Sequence, residues 1–307
     1  PWLPIGGHAA AGRRTALRVR LFLVATRRLR TKPLNWMTIS FKHRVLVNLF
    51  VPMVARLFPK LPAYDPTLYR LCQRYVDRYR GENNSDIRTN GELSLLQQVL
   101  PGCRVVFDVG ANVGSWTALA LSINPHIIVH CFEPSRATFS KLLEQGFPGN
   151  VICNNFGLGS TMEERVLYVF EEASGLNSLY KRYGLENGWG LLPQESQETV
   201  RLDTLDHYCE VKGIEAIDFL KIDVEGHELY VLQGAREMLE RGRVKIIQFE
   251  YGGCNIDARV LLKDLFEFFN ALPYALHKIT SRGLQRVERY DQRLENFQYQ
   301  NWAAIRT

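Results

Sequence analysis

The stretch VVFDVGANVGSW, from Val105 to Trp116, decides the fold of this chain. An apolar run delivers an acid, two glycines follow in the pattern D-x-G-x-x-x-G, and a helix-forming stretch comes next. Glycines at a strand-to-helix turn let the backbone approach a ligand closely, and the start of the helix offers free N–H groups. The stretch therefore predicts the first strand and the ligand-binding turn of an α/β domain.

The flanking sequence repeats this alternation of apolar runs and helical stretches. The predicted strands are Val105–Val109, Ile127–Phe132, Val151–Phe156, Ile217–Ile222, Val244–Phe249, Tyr274–Ile279 and Phe297–Ile305. The predicted helices are residues 67–80, Glu92–Leu100, Ser115–Ile123, Arg136–Glu144, His227–Leu239 and Asp257–Leu272. This order predicts a mostly parallel sheet with helices on both faces. Residues 165–206 interrupt it with short predicted strands at Val166–Phe170, Asn177–Tyr180 and Val200–Leu202.

An acid at the end of the second predicted strand defines the expected ligand. Glu133 stands where a carboxylate can accept both hydroxyls of a ribose. The dinucleotide pattern GxGxxG is absent, and the acid before the first glycine, Asp108, is a poor neighbour for pyrophosphate but a good one for a cation. A nucleoside with positive charge, such as S-adenosylmethionine, fits this pattern. The structural alternative is that Gly110 and Gly114 only make a tight turn.

A second polar cluster follows the fourth predicted strand, in FLKIDVEGHELYVLQGA at residues 219–235. Asp223, Glu225 and His227 gather before a helix, and Glu250 ends the next strand at the same edge of the sheet. A neutral His227 is the candidate base that takes a proton from an acceptor hydroxyl. Carboxylate and imidazole ligands also suit Mg²⁺ or Mn²⁺, but no spacing here requires a metal, so none is assigned.

Charge divides the 307-residue chain into two parts. Residues 1–90 hold 17 Lys and Arg against 4 Asp and Glu, and the rest holds 21 against 28. We expect a basic helical N-terminal extension at 1–90 and a catalytic domain at 91–307. Predicted amphipathic helices at 13–31 and 38–58 suit the surface of an anionic membrane, and solvated helices capping the core are the alternative.

Composition excludes several classes of protein. No apolar stretch reaches the roughly 20 residues that a membrane-spanning helix needs. The six cysteines form no CxxC pair, which favours a reducing compartment over a disulfide-stapled secreted protein. We expect a cytoplasmic protein, with peripheral membrane attachment as an alternative. The chain starts at Pro1 rather than Met, which suits a processed or truncated product.

Seven motifs together resemble the FkbM family of S-adenosylmethionine-dependent methyltransferases. They are FDVGANVG at 107–114, FEP at 132–134, NNFGLG at 154–159, NSLY at 177–180, VRLDTLD at 200–206, DFLKIDVEGHELYVLQGA at 218–235 and IIQFEY at 246–251. They cover about residues 100–306 in the family's order. The KIDVEGHE block is specific to the family, whereas DVGANVG is shared by many class I methyltransferases.

The resemblance implies a Rossmann-like class I methyltransferase fold with a seven-stranded sheet, and O-methylation of a sugar, glycan, glycolipid or natural-product hydroxyl. By matching motif, the cofactor-binding residues would be Asp108, Gly110, Ala111, Asn112, Gly114, Glu133, Pro134, Asn155 and Phe156. Asp223, Glu225, His227 and Glu250 would face the transferring methyl group and the acceptor. The acceptor would be a small molecule, a sugar or a lipid-linked sugar. We expect residues 171–199, with Tyr180, Tyr183 and Trp189, to shape its pocket.

Two other functional classes remain open from the sequence. The basic extension at 1–90 would suit an RNA-binding methyltransferase, since clustered Lys and Arg contact phosphates. The excess of acids in the domain at 91–307 and the absence of an NPPY-type motif do not favour nucleic acid. A non-catalytic membrane-associated binding protein could use the same fold, although the carboxylate and histidine set is complete.

Overall fold

The computed structural model describes residues 65–170, 174–183 and 196–307. The predicted helices at 13–31 and 38–58, and Trp189, lie outside these residues. Thr67–Thr307 form one compact unit. The basic helical extension at residues 1–90 stays a prediction. No helix in the described part of the chain is long and apolar enough to cross a membrane.

The main sheet has eight strands in the order β10-β9-β11-β8-β7-β1-β2-β3. They are β1 (Val105–Val109), β2 (Ile128–Phe132), β3 (Val151–Asn154), β7 (Ile217–Ile222), β8 (Val244–Tyr251), β9 (Tyr274–Thr280), β10 (Gly283–Arg286) and β11 (Gln300–Arg306). Neighbours from β3 to β8 pair in parallel, whereas β11 pairs antiparallel with β8 and β9. The predicted mostly parallel α/β sheet is confirmed. The eighth strand arises because Gly283, with φ 99°, turns the chain back along β9.

Alternation of apolar side chains along the central strands builds a core on each face of the sheet. Val106 and its partner Phe219 point into one hydrophobic cluster, and Phe107 and its partner Leu220 point into the other. Successive side chains of a strand face opposite sides, so strands buried on both faces need apolar residues at nearly every position. All six residues of β7 are buried.

The described residues form the helices α1 (Pro66–Arg80), α2 (Glu92–Val99), α3 (Ser115–Ile123), α4 (Arg136–Glu144), α5 (Leu205–Lys212), α6 (Glu228–Gln233), α7 (Arg236–Glu240), α8 (Cys254–Ala258) and α9 (Leu262–Asn270). No residue of α1 is buried. Helices α2, α3 and α4 contribute to one cluster, and α5, α6, α7 and α9 contribute to the other. The predicted bounds of α3 and α4 are confirmed.

Two predicted helices are each divided in two. The break between α6 and α7 falls at Gly234, whose carbonyl accepts the Asp206 amide, and the Asp206 carboxylate accepts the first amides of α7. A side chain at Gly234 would meet the Gly159 carbonyl oxygen at 2.0 Å. The break between α8 and α9 follows Arg259, which takes the left-handed φ of 56°. Both breaks depend on contacts that a helical repeat does not reveal.

A second sheet of three strands lies beside the main one, in the order β4-β6-β5. Its strands are β4 (Gly157–Leu158), β5 (Glu163–Val169) and β6 (Ser196–Asp203). The predicted strand at 177–180 is a single bridge between Ser178 and Tyr168. This bridge anchors the described segment 174–183 to the second sheet.

Residues before α2 pack on the antiparallel edge of the main sheet. Glu82 and Lys278 form an ion pair of 2.7 Å, and the two side chains are about 5% exposed. Burial lowers the pKa of Lys278, and Glu82 opposes this effect. Asn83 also donates its amide to the Tyr299 carbonyl. Residues 82 and 83 are therefore attached to β9 and to Tyr299, which comes just before β11.

Replacing Glu82 with Gln tests this attachment. The Lys278 ammonium would lose its buried counter-charge, and we expect the free energy of unfolding to fall by about 3 kcal/mol. Glu288→Gln is the matched control, because its ion pair with Arg286 is exposed on both sides. Denaturant unfolding of the full chain measures both changes. If the free energy of unfolding fell by the same small amount in both variants, the result would contradict the attachment.

Candidate active site

A cavity of about 460 Å³ opens at the carboxyl ends of β1, β2 and β7. Most of its lining comes from residues within four stretches: 109–116, 132–134, 174–179 and 221–227. Gly114 is not part of the lining. Parallel strands place their carboxyl ends at one edge, which is where open α/β sheets bind ligands. The two polar motifs of the sequence therefore face one cavity, as their positions after neighbouring strands predict.

Glycine at position 110 allows these two motifs to touch. Gly110 has φ 81°, and a side chain there would lie 1.8 Å from the Asp223 carbonyl oxygen. The amides of Gly110 and Ala111 both donate to the Phe132 carbonyl at 3.0 Å. Asn112 follows in the left-handed region with φ 49°. The β1 turn is thus pressed against the ends of both β2 and β7.

Asp108 lies beneath the cavity rather than in its wall. It is fully buried, accepts a hydrogen bond from the Thr117 hydroxyl at 2.7 Å, and pairs with the Lys221 ammonium at 3.1 Å. Lys221 lies in the cavity wall and also pairs with Asp223 at 3.4 Å. Of Asp108 and Lys221, Lys221 is the residue that a ligand can reach from the cavity. The sequence motifs did not identify it as a site residue.

Glu133 lies in the cavity wall beside Pro134, as predicted for a ribose ligand. One carboxylate oxygen accepts the Asn112 amide and the other accepts the Ser135 amide, each at 3.0 Å. Each oxygen has two lone pairs, so one on each is left for a hydroxyl donor. Burial raises the pKa of Glu133 to about 7, and the two amides oppose that rise.

Asn155 and Phe156, two of the residues expected to bind the cofactor, do not line the cavity. Asn155 is exposed, and its amide group donates to the carbonyls of Glu133 and Pro134. Phe156 is buried and packs edge-on against Phe132. Gly157 and Leu158, the next residues, do line the cavity. We therefore find Asn155 supporting the Glu133 turn from outside.

Three carboxylates meet at the far end of the cavity. One oxygen each of Asp223, Glu225 and Glu250 lies within 4.8 Å of the others. Asp223 and Glu225 line the cavity, whereas Glu250 lies behind them. Burial and then the charge of Asp223 raise the pKa of Glu225 to about 8 and raise that of Glu250 well above its ordinary value.

His227 is enclosed. Its Nδ1 lies 2.8 Å from the Tyr180 hydroxyl, and its ring stacks on Tyr230. Nε2 is buried and has no hydrogen-bond partner among the described residues. Burial lowers the pKa of His227 to about 3, so the imidazole is neutral at physiological pH. The side chain lies at the cavity as predicted, with both nitrogens turned away from open space.

The segment 174–183 closes one side of the site through every second residue. The Ser178 hydroxyl donates to the Glu225 carbonyl at 2.7 Å, Tyr180 contacts His227, and Arg182 pairs with the Glu225 carboxylate at 2.6 Å. Tyr180 thus lies at the site as expected, whereas Tyr183 is 68% exposed. The alternation S-x-Y-x-R is the signal that could have identified Arg182.

Residues outside the recognised motifs complete the cavity wall. Glu92 at the start of α2 lies in the wall, and so does Tyr299 just before β11. The Glu92 carboxylate accepts hydrogen bonds from the side-chain amides of Asn90, Gln248 and Asn301. These residues are distant in sequence, so no local pattern reveals them.

Taken together, the site combines a close-approach turn, a carboxylate with lone pairs left for hydroxyls, and an acidic end. Phosphate would meet several carboxylates here, whereas a nucleoside with a cationic group would meet complementary charge. The acidic end leaves room for a second reactant beside Asp223, whose side chain is 39% exposed.

Known proteins carry the same sequence pattern. The profile of the Methyltransferase FkbM domain matches residues 108–276. Hexuronic acid methyltransferase AglP of Haloferax volcanii is 29% identical over 162 residues, which is 52% of this chain and 62% of that protein. The 31-O-demethyl-FK506 methyltransferase FkbM of Streptomyces tacrolimicus is 28% identical over 159 residues, 43% of this chain and 60% of that protein.

A third relative is the 2-O-methyltransferase NoeI of Sinorhizobium fredii, 26% identical over 167 residues, 49% of this chain and 64% of that protein. The chain spans about three-fifths of the length of these curated relatives. The family profile covers more than half of the chain and includes both motifs that face the cavity. The predicted resemblance is confirmed, and the chain belongs to the FkbM family of methyltransferases, with the Rossmann-like class I fold.

Proposed function

We propose that this protein is an S-adenosylmethionine-dependent O-methyltransferase acting on a hydroxyl of a sugar, glycan, glycolipid or natural product. The observation that carries the proposal is one cavity whose wall contains the Gly110 turn, Glu133 and the partly exposed Asp223 carboxylate. A donor and an acceptor can therefore bind side by side in it. The fixed geometry of two such reactants supplies much of the rate of a transfer reaction.

The residues of the nucleoside end fit the cofactor. The free lone pairs of Glu133 suit the two ribose hydroxyls, and the Gly110 turn lies in the wall of the same cavity. The partly exposed carboxylate of Asp223 lies in the same cavity wall and favours ammonium and sulfonium groups. When bound, the cofactor supplies an electrophilic methyl group on a good leaving group.

The acceptor hydroxyl must lose its proton, and two side chains compete for that role. His227 is neutral, but its Nε2 is buried and its Nδ1 is bonded to Tyr180. The Asp223 carboxylate is reachable from the cavity. We therefore assign the proton-accepting role to Asp223 and a positioning role to His227, which holds Tyr180 against the Glu225 loop.

The relatives support this class of acceptor. Their names state a hexuronic acid, the 31-O position of an FK506 precursor and a 2-O position. All are consistent with oxygen acceptors on sugars or natural products. A lipid-linked sugar and membrane attachment through residues 13–58 stay predictions, because those residues lie outside the described part of the chain.

Labelled methyl transfer tests the proposed function. The full chain would be incubated with S-adenosylmethionine carrying a tritiated methyl group and with separated glycan, lipid, small-molecule and RNA fractions. We expect alkali-stable label, typical of a methyl ether, in the glycan, lipid or small-molecule fraction. Label confined to RNA, or no label in any fraction, would contradict the proposal.

Glu133→Gln tests the nucleoside end separately. The amide cannot accept both ribose hydroxyls, and its NH₂ group faces an amide donor. We expect S-adenosylhomocysteine to bind about 10- to 100-fold more weakly, since hydrogen bonds to a charged group contribute about 1.5–3 kcal/mol. Isothermal titration calorimetry measures the change, with the exposed Glu144→Gln on α4 as the control. Unchanged affinity in Glu133→Gln would reject the ribose assignment.

Two conservative variants separate the candidates for proton transfer. Asp223→Asn should reduce turnover of the labelled fraction by roughly 10²- to 10⁴-fold. His227→Asn keeps a polar atom near the position of Nδ1 for Tyr180 but removes Nε2, so we expect it to stay within about 10-fold of wild type. The reverse order, with S-adenosylhomocysteine affinity retained in both variants, would instead make His227 the base.

A further inference from the structure

Glu250 has no role in the chemistry described so far, and its surroundings are unusual. It lies in β8 beside β7, one residue from the end of the strand. Among the described residues, its carboxylate forms no hydrogen bond and no ion pair. The charged groups that act on it most strongly are four other carboxylates: Asp223, Glu225, Glu228 and Glu92. Glu250 is half-buried, and a partly desolvated carboxylate without a donor is stabilised by a cation beside it.

The spacing of the carboxylates suits one ion. Asp223 and Glu225 follow β7, Glu250 ends the adjacent parallel strand, and one oxygen of each lies within 4.8 Å of the others. Oxygen ligands of Mg²⁺ lie about 2.0–2.1 Å from the ion, and those of larger divalent ions about 2.3–2.6 Å. Ligands on opposite sides of one ion are therefore separated by about 4–5 Å.

A second and independent observation is the state of Glu228 behind the same loop. Glu228 is fully buried, and one of its oxygens accepts the amides of Val224 and Gly226, which flank Glu225. Its other oxygen has no hydrogen-bond partner among the described residues. Glu228 also acts electrostatically on both Glu225 and Glu250. A fourth, half-satisfied carboxylate therefore lies against the loop that carries Asp223 and Glu225.

Two basic side chains lie near these acids. Arg182 pairs with Glu225 and lies 3.8 Å from Asp257, and Lys221 is shared between Asp223 and Asp108. Both side chains therefore also contact acids outside the group, and a divalent cation would bring positive charge next to the three carboxylates that lie within 4.8 Å of one another.

We propose that Asp223, Glu225 and Glu250 form a binding site for a divalent cation of the Mg²⁺ or Mn²⁺ type. All three ligands are carboxylate oxygens, which these hard ions prefer. Each residue needs to offer only one oxygen, so the second oxygen of Asp223 stays available to Lys221 or to a hydroxyl. The site adjoins the cavity, and the ion's role there, orienting the acceptor oxygen, rests on the proposed function.

Binding of Mn²⁺ alone tests the site without any acceptor. Electron paramagnetic resonance reports free Mn²⁺, so titration into the full chain gives the stoichiometry and affinity. We expect one Mn²⁺ per chain with a submillimolar Kd, competition by Mg²⁺, and at least 10-fold weaker binding in Glu250→Gln. That variant should fold, because it removes a repelling charge, and circular dichroism would check this. Glu240→Gln, at an exposed ion pair with Arg236, is the control.

Asp223→Asn gives a second variant with the same expectation, should Glu250→Gln fail to fold. No retention of Mn²⁺ at 1 mM by wild type would overturn the site. Wild-type affinity in both ligand variants would overturn it too, because the ion would then bind elsewhere. S-adenosylhomocysteine calorimetry on the same samples separates the two proposals: cofactor binding without Mn²⁺ rejects only the metal, and Mn²⁺ binding without cofactor rejects only the methyltransferase assignment.

Discussion

A buried ammonium group joins the two halves of the site. Lys221 of β7 lies directly across from Asp108 of β1 in the parallel pairing, and its ammonium contacts the carboxylates of Asp108 and Asp223. Burial opposes the charge on Lys221, but Asp108 and Asp223 more than offset it and raise its pKa above the ordinary value. The Gly110 turn and the loop that carries the acids are therefore held at a fixed separation.

This arrangement explains how an acidic cavity can be stable. Asp108 is paired with Lys221 beneath the floor, and the acids that a ligand meets in the wall are Glu92, Glu133, Asp223 and Glu225. The basic residues of the chain are concentrated before residue 90, and the remainder has an excess of acids. The division of charge along the sequence thus matches a cationic ligand in the body, whereas net charge alone would have pointed to nucleic acid.

Local pattern predicted much of the fold and the edge of the sheet that carries the site. Strand ends and the turn at Gly110 follow from the alternation of apolar residues and from the need for a close approach. The role of Asp108 could not be read in this way, because its pairing with Lys221 depends on which strands become neighbours. Contacts of Tyr180 and Arg182 with the Glu225 loop, and of Glu92 with Gln248, join residues far apart in sequence and need the tertiary structure.

Hydrogen exchange with and without S-adenosylhomocysteine tests the central claim most directly, namely that the Gly110 turn, the Glu133 turn and the Asp223 loop form one cofactor site. We expect the ligand to slow exchange together in peptides covering 107–116, 128–135 and 219–228 of the full chain. Protection of only one of these stretches, or no protection at a saturating ligand concentration, would contradict a single site held together by Lys221.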